Sequence, residues 1–184
     1  MKVFGEHFII KKPRYFFLKQ SKTLIFARAG AIAGLYVALT YALVSLAYGN
    51  IQVRLSEGLC MLPLVYPESI IGLFVGCALS NIASPFGIYD VILGSAVTLA
   101  ASGITYLIGK FVKKTWLKIL LGGLPPVILN ATLLPLIWLL VGGEVGYLTN
   151  FISLLISQTL SVYAIGAPLY LFVKKLKDKG VKGF

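Results

Sequence analysis

Long apolar runs follow one another along the chain, each closed by a short polar or Gly/Pro-bearing stretch. The runs are continuous rather than alternating, so they predict helices and not strands. A bilayer core of about 30 Å needs about 20 apolar residues per helix. Residues 24–47, 89–109, 117–141 and 151–173 meet that requirement, the last two joined by "GGEVGYLTN". The block 55–84 is too long for one span and is broken by Pro67-Glu68-Ser69. Pro ends a helix and Ser can cap the next, so the block predicts two short crossings, 56–66 and 69–83. Short spans are tolerable when packed inside a bundle. The pattern thus gives six helices. Pro125, Pro126 and Pro135 predict a bent fifth helix, and Pro168 a bend near the inner end of the sixth.

Charge fixes the threading. Basic residues cluster at 2–28, 110–118 and 174–182; Arg54 stands alone between the first two clusters. Basic clusters beside apolar runs mark the cytoplasmic side. "ARAG" and "KFVKK" must then share a side, which requires an even number of crossings between them and confirms the double crossing in 55–84 as the consistent choice. The chain divides into a basic cytoplasmic or interfacial segment (1–22), a six-helix membrane domain (23–175) and a basic cytoplasmic tail (176–184), with both termini cytoplasmic. The first segment reads either as an interfacial helix on the anionic leaflet or as a basic tail without fixed structure. Its basic stretch is too long for the n-region of a signal peptide.

Composition agrees. Hydrophobic residues make up 58% and charged residues 12%, against about 25% charged in a soluble domain. The expected class is an all-α polytopic membrane protein. The net charge of +11 is segregated by topology, not a nucleic-acid footprint, and no nucleic-acid partner is expected. Cys60 and Cys77 sit in apolar sequence without metal spacing or a disulfide framework, so no metal and no cofactor are expected.

Polar residues inside apolar sequence carry the remaining signal. "IQVRLSEG" sets Gln52, Arg54, Ser56 and Glu57 within six residues. With the threading above, Arg54, Glu57, Asp90 and Glu144 fall at the outer end, with Asn50, Asn81 and Asn150 near it. Asn130 and Gln158 fall mid-span or in the outer half of the last two helices. Burying such groups unpaired costs several kcal/mol, so each is paired, wet or in contact with a ligand. Each has a plain alternative. Arg54 and Glu57 can pair along a helix, Asp90 can cap the fourth helix, and the amides can bond between helices. Their convergence on one end favours a polar pocket open to the outside.

Catalysis has little support. The only His is His7, in the basic N-terminal segment, so no Ser-His-Asp set is possible, and no G-x-x-x-x-G-K-[ST] run occurs. The chain cannot drive transport with ATP by itself. The first helix, "FARAGAIAGLYVALTYA", repeats small residues at four-residue spacing: Ala27, Ala29, Gly30, Ala31, Ala33, Gly34 and Ala38. Such faces admit a closely packed partner helix, in the same bundle or in another subunit.

Six short helices, this Ala/Gly-rich first helix and the polar segment before the second resemble the substrate-binding (S) component of energy-coupling factor (ECF) transporters. The run "IQVRLSEGLCMLP…GLFVGCALSNIASPFGIYDVILGSAVTLAA", residues 51–101, resembles the QueT family, proposed to import queuosine precursors. The resemblance implies a multi-pass protein of a prokaryotic plasma membrane that binds its substrate from outside. It implies docking through the first helix onto a transmembrane coupling subunit, with two ABC-type ATPases driving the cycle. It implies a 7-deazaguanine ligand, whose 2-amino and ring N–H groups suit one carboxylate and whose carbonyl needs a donor. The residues offered for it are Glu57 and Asp90 as acids, and Gln52, Asn81, Asn130, Gln158 and Arg54 as amides and donor. Tyr41, Tyr89, Trp138 and Tyr147 could stack on its ring. An S component for another heterocyclic vitamin, or a small membrane protein outside transport, remain as alternatives.

Overall fold

The computed structural model describes residues 21–47 and 54–181. Gln52, Asn50 and nearly all of the segment 1–22 lie outside the described residues. Helix α1 is Lys22–Ala42, continued by a turn at Val44–Ala47; α2 is Leu55–Leu64; α3 is Ser69–Ser80, extended by Asn81–Ala83; α4 is Asp90–Phe111; α5 is Thr115–Leu140; α6 is Tyr147–Asp178. Helices account for the described secondary structure. Four of them, α1, α4, α5 and α6, are long and apolar enough to cross a membrane, and α2 and α3 complete the six.

Helix α2 is wound as a 3-10 helix. This winding rises about 2.0 Å per residue against 1.5 Å for the α form, so ten residues reach about 20 Å rather than 15 Å. All of α2 except Leu55 is buried, and it packs against α1, α4, α5 and α6. It runs through the middle of the bundle, where a short segment suffices because protein, not lipid, surrounds it.

Glycine sets how closely the helices meet. A Cβ on Gly72 of α3 would stand 2.6 Å from the Ala29 carbonyl oxygen, and one on Gly76 would stand 2.8 Å from the Tyr36 Cβ. Helices α1 and α3 therefore approach backbone to backbone, with Ile32, Ala33, Tyr36 and Thr40 facing inward. Positions 32, 36 and 40, with 33 beside them, form the inward stripe of an α-helix.

Helix α5 keeps helical backbone through Pro125, Pro126 and Pro135. Pro126 has no N–H to offer the Gly122 carbonyl four residues before it. The Thr105 hydroxyl of α4 donates to that carbonyl instead, at 2.8 Å. In α6 a π-helical segment, Leu160–Gly166, precedes Pro168. A second π turn, Asp90–Gly94, opens α4.

The turn between α2 and α3 is clamped by basic residues from both ends of the chain. Arg28 pairs with Glu68 at 2.8 Å, and its guanidinium lies 4.4 Å from the centre of the Tyr66 ring. The Lys177 ammonium lies 5.0 Å from the same ring and donates to the Val65 carbonyl at 3.0 Å. Lys118 donates to the Gly109 carbonyl and Lys174 to Thr115. The basic start of α1, the α2–α3 turn, the α4–α5 loop and the end of α6 thus share one end of the bundle. Arg54 and the α3–α4 and α5–α6 connections lie at the other.

Candidate functional site

The centre of the polar layer is Glu57, 1% exposed on the buried helix α2. The Tyr36 hydroxyl of α1 donates to Oε1 at 2.6 Å. The other oxygen, Oε2, accepts from the Asn130 amide of α5 and from the Cys60 thiol, each at 3.2 Å. The thiol is a weak donor. Three elements thus converge on one carboxylate in the apolar interior. The Thr40 hydroxyl, one turn beyond Tyr36, donates to Ser56 at 2.8 Å. Arg54, 4% exposed, stands within electrostatic reach of Tyr36 and Cys77.

Gln158 belongs to the same layer. One turn before it, Leu154 packs with Ala131, Leu134 and Trp138. One turn after it, Val162 packs with Met61 and Val127. The antiparallel partner α5 carries Asn130 between those two contact points, so Gln158 lies level with Asn130. Beside it, Ser161 meets α2 at Gly58, where a Cβ would stand 3.0 Å from the Ser161 carbonyl oxygen. Gln158 is fully buried, and neither atom of its amide has a hydrogen-bond partner among the described residues. The same holds for the Asn130 Oδ1 and for the hydroxyls of Ser157 and Ser161. A π-helical segment begins two residues after Gln158, at Leu160, an irregularity frequent at functional sites.

Asp90 forms a separate knot nearer the α3–α4 connection. Its carboxylate accepts from the Trp138 indole at 2.7 Å and from the Ser84 hydroxyl. The Asn81 amide donates to the Asp90 carbonyl oxygen at 2.8 Å. The Trp138 ring stacks on Phe86, with centroids 5.2 Å apart. Asp90, Asn81 and Trp138 therefore tie the α3–α4 connection to α5.

The structure thus gathers Glu57, Asn130 and Gln158 in one layer and Asp90, Asn81 and Trp138 in another. Tyr41 and Tyr89 stand outside the bundle, 44% and 51% exposed. Tyr147 stacks on Phe151 at 6.1 Å. Sequence reasoning missed Tyr36, Cys60, Ser84, Phe86 and Ser161. Only Tyr36 carried a usable signal, its place on the 32, 36, 40 stripe of α1. The small residues of α1 divide between two faces. Ala29 and Ala33 are taken up against Gly72 and Gly76 of α3, while Ala27, Gly30, Ala31, Gly34 and Ala38 face outward. A Cβ on Gly30 or Gly34 would meet nothing within 4 Å. Among the described residues no His/Cys/Asp/Glu group could hold a metal ion.

The family described as QueT transporter matches residues 26–175. The queuosine precursor transporter QueT of Lactococcus lactis subsp. cremoris (strain MG1363) is 39% identical over 84 residues, 45% of this chain and 49% of that protein. The match spans about half the length of that relative. No solved structure matches the chain significantly. The family match runs from the first turns of α1 to the last turns of α6 and so takes in both polar layers: the chain belongs to the QueT transporter family.

Proposed function

We propose that this chain captures a queuosine precursor, a 7-deazaguanine, from outside a prokaryotic cell and delivers it inward as the S component of an ECF importer. The observation that carries the reading is Glu57, a carboxylate held by three helices in the apolar interior. A 7-deazaguanine presents two adjacent N–H groups, which suit one carboxylate bidentately. Of the two donors on Oε2 the Cys60 thiol is the weaker, so a ligand N–H can replace it while Tyr36 keeps Oε1 and Asn130 keeps its bond to Oε2.

The rest of the cycle follows from this role. The basic end of the bundle is cytoplasmic by the positive-inside rule, which puts both termini inside and the Asp90 knot outside. The outward face of α1 docks onto a transmembrane coupling subunit. Beside that face a groove of about 400 Å³, lined by Ala27, Ala31, Leu35, Leu169 and Val173 among others, offers apolar surface to a partner helix. Two ATPases in separate subunits supply the energy.

The test is mass spectrometry of the small molecule that co-purifies with the protein from cells. The account requires a 7-deazaguanine. A different heterocyclic vitamin would contradict the substrate, and co-purification of ABC ATPases with the protein would support the assembly.

A further inference from the structure

We infer that Gln158 is the specificity-determining residue, reading the carbonyl and the 7-substituent of the ligand and selecting an aminomethyl over a cyano group. The inference rests on the 7-deazaguanine reading above and goes beyond it by choosing among such ligands. A buried primary amide with both ends unmatched is costly, and native interiors rarely contain one without a reason. Here both Gln158 atoms are unmatched among the described residues, in the layer that holds Glu57.

The demand of the layer can be counted. Asn130 donates to a carboxylate, which only accepts, so its amide orientation is fixed and its Oδ1 is left as an acceptor. Glu57 adds acceptor capacity. Gln158, whichever way its amide is turned, offers one acceptor and one donor side by side. The ring and 2-amino N–H groups of a 7-deazaguanine serve Glu57 and the Asn130 oxygen. What remains for Gln158 is an acceptor next to a donor. The ring carbonyl and a 7-aminomethyl group are neighbours and supply that pair: Nε2 donates to the carbonyl and Oε1 accepts from the amine. A 7-cyano group in the same place presents only an acceptor and leaves Oε1 unmatched.

The test is equilibrium binding of the 7-aminomethyl and 7-cyano forms of 7-deazaguanine to the purified full chain and to Gln158→Met, which keeps length and removes both polar atoms. The wild type should prefer the aminomethyl form by at least about tenfold, and the variant should lose about tenfold of that preference. Charge attraction from Glu57 acts in both proteins, so the change in the ratio isolates Gln158. Melting of the ligand-free variant should be no lower than that of the wild type, because an unmatched amide has been removed. Gln158→Leu provides a second shape for the same measurements. An unchanged ratio, or a lower ligand-free melting temperature in both variants, would overturn the inference. If the wild type binds neither compound, the substrate reading itself fails.

Discussion

Glu57 is the residue on which the account turns, and Tyr36 is its firmest partner. Tyr36→Phe removes the 2.6 Å bond to Oε1 and leaves the ring in place. Ligand affinity, measured by titration calorimetry, should fall in a folded protein because Glu57 loses the bond that orients it, and the ligand-free protein should lose about 1.5–3 kcal/mol of stability, the usual size of a hydrogen bond to a charged group. Asp90 serves a different purpose. Its two oxygens are already engaged by Trp138 and Ser84. Asp90→Ala leaves the buried indole N–H unmatched, so thermal stability in detergent should drop by about 1–3 kcal/mol. The reverse pattern, with Asp90→Ala abolishing binding in a stable protein, would move Asp90 into the ligand site. The two acids were equivalent candidates in the sequence. Only their partners separate them, among them Asn130, 73 residues from Glu57, and Trp138, 48 residues from Asp90.

Helices α1 and α3 show what periodicity reveals and what it hides. The small-residue repeat in α1 was legible at once, but it lies on two faces and the sequence does not say which face meets α3. Gly72 and Gly76 settle that, because only glycine fits against the Ala29 and Ala33 backbone. Gly76→Ala should therefore destabilise the isolated protein, by an amount typical of overpacking, about 1–3 kcal/mol, read as a lower melting temperature. Gly34→Trp should not, since its Cβ points into open space; it should leave ligand binding intact and abolish uptake through the assembled importer. Loss of binding in Gly34→Trp would assign that face to the bundle itself. The 3-10 winding of α2 was not legible. Its ten residues carry no period that distinguishes the two windings, and its length makes sense only once the surrounding helices bury it. The π segments in α4 and α6 were hidden for the same reason.

At the scale of the molecule, charge parity and the hydrophobic pattern together anticipated six helices and a turn at Pro67. The structure adds that Glu68 meets Arg28 and that Tyr66 lies between Arg28 and Lys177. One end of the bundle is thus closed by cations from α1 and α6. Sidedness follows from the bilayer and is tested by labelling single cysteines in a background lacking Cys60 and Cys77. Glu144→Cys, in the exposed α5–α6 connection, should react with an impermeant reagent in intact cells. Lys113→Cys should be protected until the membrane is opened, and its labelling from outside would invert the topology. The central claim, capture of a 7-deazaguanine by the Glu57 layer, is tested most directly by the dissociation constant of 7-aminomethyl-7-deazaguanine for the wild type and for Glu57→Gln. Binding by the wild type, weakened about 10- to 150-fold in a folded Glu57→Gln protein, is the predicted result; equal affinity in the two proteins would contradict it.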